Sequence, residues 1–91
     1  MSVTVRVPAQ LRSLTGGEGE LSVPSGTVRD LIASLESGHP GIEARLLDEQ
    51  GALRRFVNVF VAEEDVRFLE GLDTKVGDGT TVSIVPAVAG G

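Results

Sequence analysis

One amphipathic helix, set among short strand-like runs, constrains the fold of this chain most. Four apolar residues recur at i, i+3, i+4 and i+7 and so share one helix face: Val28, Leu31, Ile32 and Leu35. Thr27 precedes them as an N-cap, and Asp30 suits both a capping box and the positive end of the helix dipole. The Ser-Gly-His-Pro stretch at residues 37–40 then ends the helix. We therefore predict one main helix over roughly residues 28–37.

Runs in which apolar and polar residues alternate flank this helix on both sides. Val3, Val5 and Val7 follow the period of two that is typical of a half-buried strand. Beyond the turn at residues 15–17, Leu21 and Val23 mark a second strand that returns beside the first. After the helix, the pattern predicts a short helix at residues 42–47 and strands at residues 56–61, 66–68 and 81–85.

This order of elements predicts an α+β, β-grasp (ubiquitin-like) fold. One helix between strand pairs covers one face of a mixed sheet, and the first and last strands lie parallel at its centre. The other face stays uncovered. If Val57, Val59 and Val61 face the core, Phe60 points to the uncovered face, where we also expect Val85. The opposite phase of this strand, which would bury Phe60, remains an alternative. An exposed apolar patch there would serve as a docking surface.

Composition limits what such a domain can do. The net charge of −5 argues against binding to a nucleic-acid backbone, and no apolar run approaches the length of a membrane span. There is no cysteine, so a disulfide or a thiolate zinc site is excluded. The only histidine, His39, is interpreted as a loop residue, and no metal site is expected. The first residues start directly in a strand pattern, so we expect a cytoplasmic protein.

The end of the sequence is the candidate functional segment. Pro86 cannot donate a ladder hydrogen bond, so regular pairing should stop near it. We therefore divide the chain into a domain at residues 1–86 and a flexible tail at residues 87–91. The tail is uncharged and reads Ala87, Val88, Ala89, Gly90 and Gly91. Extended, it reaches about 16 Å, enough to carry the Gly91 carboxylate into another protein's active site. A frayed terminus without a function is the alternative.

Several motifs across the whole chain resemble one family. They are Pro8-Ala9-Gln10-Leu11-Arg12, the stretch from Phe56 to Val61, Glu64-Asp65-Val66-Arg67-Phe68, Leu72-Asp73-Thr74, Asp78-Gly79-Thr80-Thr81-Val82 and the closing Val85-Pro86-Ala87-Val88-Ala89-Gly90-Gly91. Together they are similar to the bacterial ubiquitin-like sulfur carriers, the ThiS/MoaD/CysO family. Within it, the Arg-Phe-Val-Asn-Val-Phe-Val stretch is most similar to the CysO carriers of cysteine biosynthesis.

This resemblance implies a carrier, not an enzyme. A ubiquitin-activating-type adenylyltransferase would use ATP to adenylate the Gly91 carboxylate, and sulfur would then displace AMP to leave a thiocarboxylate. A PLP-dependent cysteine synthase would take up the sulfur on an aminoacrylate formed from O-phosphoserine, and a JAMM-type metalloprotease would release cysteine. The resemblance thus implies no intrinsic cofactor, since ATP and PLP belong to the partners. It implies partner contacts through Phe60, Val85, Ala87, Val88, Ala89 and Gly90.

Two other functions remain open at this point. The first is the small subunit of molybdopterin synthase, a MoaD-like protein that carries the same thiocarboxylate but has a permanent partner. The second is a protein modifier that is conjugated through Gly91 to lysines, as ubiquitin is. Both functions use the same fold and the same tail, so the residues alone do not separate them.

Overall fold

A five-stranded mixed sheet forms the frame of the molecule. A computed structural model describes residues 2–86. Its seven strands are β1 (Val3–Arg6), β2 (Glu20–Val23), β3 (Gly26–Thr27), β4 (Val57–Val61), β5 (Glu64–Asp65), β6 (Lys75–Val76) and β7 (Thr81–Pro86). The main sheet has the order β2-β1-β7-β4-β5. β1 and β7 run parallel at its centre, and the other neighbours are antiparallel. The predicted β-grasp fold is therefore confirmed.

Two α-helices cover one face of this sheet: α1 (Val28–Gly38) and α2 (Ile42–Leu46). The predicted capping box of α1 is present. The Thr27 hydroxyl accepts from the N–H of Asp30 at 3.2 Å, and the Asp30 carboxylate accepts from the N–H of Thr27 at 3.0 Å. All four residues of the predicted apolar stripe are buried. The helix therefore forms where its pattern places it and packs by that face.

The core lies between α1 and the inner face of the sheet. Val3, Val5 and Val7 contribute from β1 and just beyond it, and Val82 and Ile84 contribute from β7. In β4 the buried residues are Val57, Val59 and Val61, which confirms the predicted phase of this strand. Because side chains alternate along a strand, Asn58 and Phe60 then point to the face that α1 leaves uncovered.

The predicted strand at residues 66–68 is wrong. Val66–Phe68 forms a single 3₁₀ turn, and the strand pairing beside β4 is made by the preceding Glu64–Asp65. The Asp65 carboxylate accepts from the N–H of Arg67 at 2.8 Å, which caps the turn and bends the chain away from the sheet. Val66 is fully buried by this bend, whereas Phe68 is left exposed.

Two further features have no counterpart in the sequence prediction. β3 and β6 form a separate two-stranded sheet just before α1, and the N–H of Val28 donates to the Thr74 carbonyl beside it. The Glu36 carboxylate accepts from the N–H groups of Gly41 and Glu43, where α2 begins. A side chain of α1 therefore fixes the start of α2. Within residues 2–86, no helix combines the length and apolar character that crossing a bilayer requires.

Candidate functional site: the open face and the root of the tail

The described part of the site is the place from which the tail departs. Pro86 is the last residue of β7 and lies opposite Val57 of β4. Gly91, the predicted sulfur-carrying residue, lies outside the described residues, as do the predicted contact residues Ala87, Val88, Ala89 and Gly90. The division into a domain at residues 1–86 and a tail at residues 87–91 therefore stays a prediction. What the structure adds is the surface around Pro86.

The sheet face opposite α1, called the open face below, holds both predicted docking residues of the domain. Phe60 in β4 lies opposite Ser83 in β7, and Val85 lies opposite Asn58. Since alternate residues share a face, Phe60 and Val85 sit together on two neighbouring strands. Val85 is 44% exposed and Phe60 is half-buried. Both residues thus lie on the face that the sequence predicts, and their contact with a partner stays a prediction.

Polar residues surround these two apolar side chains. Arg6 of β1 lies beside Ser83, and its guanidinium contacts the Glu20 carboxylate at 3.5 Å. On the far side, Asp65 of β5 lies opposite Phe60. The apolar part of the open face formed by Phe60 and Val85 is therefore a narrow strip with charged flanks. Such a strip suits a partner with a small apolar surface and complementary polar groups around it.

Arg67 is a residue of the site that sequence reasoning did not single out. Its guanidinium donates to the Asn58 side-chain oxygen at 2.8 Å and to the Arg54 carbonyl at 2.8 Å. A longer contact of 3.5 Å reaches the Arg55 carbonyl. We call this arrangement the Arg67 clamp. Asn58 lies directly opposite Val85, so the clamp lies close to Pro86, the residue from which the tail departs. The only signal in the sequence is that both residues fall within the motifs of the resemblance.

Large apolar side chains are also exposed outside the open face. Phe68 is 86% exposed on the 3₁₀ turn, and Phe56 is 52% exposed just before β4. The exposure of Phe68 could not be predicted from the sequence, because residues 66–68 were predicted as a strand and form a 3₁₀ turn instead. Scattered apolar residues are common on protein surfaces, so these two side chains by themselves indicate no function.

The titratable side chains of the described residues do not gather at one place. No three His, Asp or Glu side chains within residues 2–86 are grouped so that they could hold a metal ion. His39 is half-buried at the end of α1, where its N–H donates to the Leu35 carbonyl. The hydrogen bond from the Thr27 N–H lowers the pKa of the Asp30 carboxyl, which belongs to the helix cap.

Comparison with known families decides the relationship. The model of the ThiS family matches residues 5–91, which includes the described domain and the tail. The chain belongs to the ThiS family. It is 48% identical to the sulfur carrier protein CysO of Mycobacterium tuberculosis over an alignment of 93 residues that spans all of both chains. It is also 42% identical, over 71% of its length and 70% of the relative's, to small archaeal modifier protein 3 of Haloferax volcanii.

Comparison with solved structures also relates this ThiS-family chain to CysO proteins. A chain in the crystal structure of the Amycolatopsis orientalis BexX/CysO complex superposes with a TM-score of 0.92 and 52% identity, covering 98% of this chain and 99% of that one. CysO is thus a protein that assembles with a partner. The full-length relatives support a sulfur-carrier role for this ThiS-family member, and their names are those of carriers and not of catalysts.

Proposed function

We propose that this chain carries sulfur as a thiocarboxylate on Gly91 and delivers it to partner enzymes, most directly for the synthesis of cysteine. The full-length 48% identity with a CysO sulfur carrier is the observation that carries this proposal. The position of Pro86, the last residue before the tail, supports it. β7 is a central strand of the sheet, so the residue from which the tail departs is held by a stable frame beside an open surface.

The chemistry begins with activation of a poor electrophile. A carboxylate resists attack by sulfur, so a ubiquitin-activating-type adenylyltransferase joins the Gly91 carboxylate oxygen to the α-phosphorus of ATP, and pyrophosphate leaves. Hydrosulfide then attacks the acyl carbon, AMP leaves with the carboxylate oxygen, and a thiocarboxylate remains. The chain supplies no base, nucleophile or metal in this scheme. Because it has no cysteine, no internal thiol competes for the activated carbonyl.

Delivery of the sulfur uses further partners. In the CysO-like route, the thiocarboxylate sulfur adds to an aminoacrylate that a PLP-dependent cysteine synthase forms from O-phosphoserine. A JAMM-type metalloprotease then hydrolyses the cysteinyl adduct, which releases cysteine and restores the Gly91 carboxylate. ATP and PLP act within the partners, and the carrier itself needs no cofactor. We place these reactions in the cytoplasm.

Contact with these partners is proposed to run through the open face and the tail. Phe60 and Val85 supply the apolar strip, and the tail residues Ala87, Val88, Ala89 and Gly90 line the entrance of the partner's active site. Small side chains suit this task, because a narrow channel admits them and because glycine adopts backbone angles that other residues avoid. One surface and one tail can then be presented to several enzymes in turn.

A second candidate function is protein modification through Gly91. The 42% identity with small archaeal modifier protein 3 favours it as the alternative. Both functions share the adenylation step and differ in the nucleophile, which is a lysine amine instead of hydrosulfide. The two are therefore separated by what is found attached to Gly91.

Reconstitution with the host's own activating enzyme tests the proposal. The chain, ATP and hydrosulfide are incubated with that enzyme, and the C-terminal peptide is analysed by mass spectrometry. We expect ATP-dependent release of pyrophosphate and replacement of one oxygen of Gly91 by sulfur. A chain that lacks Gly90 and Gly91 is the matched control and should release no pyrophosphate. If the intact chain also releases none, the proposed function is wrong.

A further inference from the structure

Within residues 2–86, the end of β7 pairs with a strand on one side only. β1 pairs with β7 as far as Ser83, which lies opposite Arg6. Over the last residues of the strand, the pairing is with β4, where Asn58 faces Val85 and Val57 faces Pro86. Pro86 has no N–H to donate to a ladder. The position of Pro86, which we call the root of the tail, therefore depends on how firmly Val57 and Asn58 of β4 are held.

Among the described residues, no strand pairs with these two residues of β4 on their other side. β5 pairs with Phe60 and Val61 and does not extend to Asn58. The Arg67 guanidinium makes the contacts at this end of β4, at 2.8 Å from the Asn58 side-chain oxygen and 2.8 Å from the Arg54 carbonyl. The N–H of Val57 donates to the same Arg54 carbonyl at 3.0 Å. One side chain thus connects the start of β4 to the loop before it.

Arg67 is well suited to hold this position. Its own N–H donates to the Asp65 carboxylate at 2.8 Å, and the neighbouring Val66 is fully buried, so the backbone of the 3₁₀ turn is fixed. A guanidinium presents several donors in one rigid plane, which lets it bridge two acceptors with little loss of entropy for each bond. A lysine ammonium in its place is a point charge on a flexible stem and cannot reproduce both contacts in the same geometry.

We propose that Arg67 is a positioning residue for the tail. Through its bonds to the Asn58 side chain and to the Arg54 carbonyl, which also accepts from the N–H of Val57, it holds the start of β4 and thereby fixes the direction in which the chain leaves Pro86. Its role in the reaction rests on the proposed function, because a fixed direction favours delivery of Gly91 to the activating enzyme. The open face supplies affinity for the partner, and the clamp aligns the tail once the partner is bound.

This division of roles predicts a specific kinetic pattern for Arg67→Ala. Docking through Phe60 and Val85 is kept, so KM for the carrier should change less than about twofold. The rate of adenylation at saturating carrier should fall about tenfold, because a misplaced reacting group loses much of the advantage of orientation. In NMR relaxation measurements on the free chain, the order parameter of the Val85 amide should fall from about 0.85 toward about 0.6.

Two further variants separate positioning of the tail from a general effect of losing one arginine. Arg29→Ala also removes one arginine and breaks an exposed ion pair with Asp73 of 3.3 Å, whereas the bonds of the clamp to Asn58 and to the Arg54 carbonyl are kept. It should change neither the rate nor the order parameter of Val85. Arg67→Lys keeps the charge and loses the bridge, so it should behave like Arg67→Ala. It also replaces the alanine variant if that variant does not fold.

The possible outcomes are distinct. An unchanged adenylation rate in Arg67→Ala overturns the proposal. If Arg67→Ala is slow but Arg67→Lys keeps the full rate, the proposal is also wrong, and Arg67 makes a charge contact with the partner instead. If the wild-type chain is not adenylated at all, the proposed function fails, and the order parameter of Val85 still tests the clamp. An unchanged order parameter then overturns the clamp as well.

Discussion

At the scale of single residues, Asp30 links the sequence to pH-dependent stability. The Thr27 N–H, and after it the Thr27 hydroxyl, interact with the Asp30 carboxylate and hold its pKa below the ordinary value. A carboxyl with a lowered folded pKa stabilises the protein above its unfolded pKa and loses this contribution as pH falls through the folded value. The capping box should therefore weaken only in acid.

Asp30→Asn tests this effect, because asparagine resembles the protonated acid. At neutral pH the variant should melt below the wild type, and the difference should shrink as the pH falls through the lowered pKa of Asp30 and the carboxyl becomes neutral. Thermal melts at several pH values measure it, with Asp78→Asn as the control for loss of one charge. A difference that stays constant from neutral pH to acid would refute the role of the charge.

Val85 tests the docking surface. Val85→Asp places a charge in the apolar strip at a position that is already 44% exposed, so the melting temperature should change little. The dissociation constant for the activating enzyme should rise about tenfold, since a charge replaces a desolvated apolar contact. Phe60→Asp should act similarly on binding, with a larger loss of stability because Phe60 is half-buried. Thr81→Asp, on the same strand and face at the other end, is the control. Normal binding by Val85→Asp would show that the interface lies elsewhere.

The positions of some residues of the site can be predicted from the sequence, and those of others cannot. Alternation along β4 and β7 is a local pattern, and it suffices to assign Phe60 and Val85 to one face. The Arg67 clamp depends on a side chain that reaches Asn58, nine residues away, across a turn that the pattern predicted as a strand. The Glu36 cap on α2 likewise depends on how the chain bends between two helices. Contacts of this kind have no periodic signal.

At the scale of elements, the hairpin between β4 and β5 is strained. Its two turn residues, Ala62 and Glu63, have φ angles of +50° and +74°, although neither is glycine. Two positive φ angles are typical of a type I′ turn, which favours Asn-Gly. The left-handed region costs a residue with a Cβ about 1–2 kcal/mol. The turn is therefore a place where the native sequence is not optimal for stability.

Glu63→Gly should stabilise the chain by about 0.5–1 kcal/mol, since relief of strain exceeds the entropy that glycine adds to the unfolded state. Thermal unfolding should show a rise of a few degrees. Glu64→Gly, one residue later in β5, removes the same charge from a strand with ordinary backbone angles and should lower the melting temperature. If Glu63→Gly melts no higher than the wild type, the turn stores no strain.

Elements with a strong local period were predictable and others were not. The stripe and caps of α1 lie within a dozen residues, so the sequence alone defines that helix. β3 and β6 are two residues each and lie far apart in the chain, so their pairing follows from the fold and not from a pattern. The strand prediction at residues 66–68 failed because the Asp65 cap overrode the apolar alternation.

At the scale of the whole molecule, we predict that folding of the domain does not depend on the last residues of the tail. Every core residue of the described chain lies at or before Ile84. Deleting Gly90 and Gly91 should therefore leave the circular dichroism melt within about 2 °C of the wild type, because no buried apolar contact is lost. The same deletion should abolish sulfur transfer. An unfolded truncated chain would contradict this separation.

The most direct test of the proposed function is high-resolution mass spectrometry of the C-terminal peptide from protein made in its native host. The peptide must be separated from Met1, because oxidation of methionine adds nearly the same mass as replacement of oxygen by sulfur. Alkylation identifies the thiocarboxylate without interference, since the chain has no cysteine. We predict that Gly91 carries sulfur. A Gly91 found only as a free carboxylate, or joined to a lysine, would contradict the sulfur-carrier function.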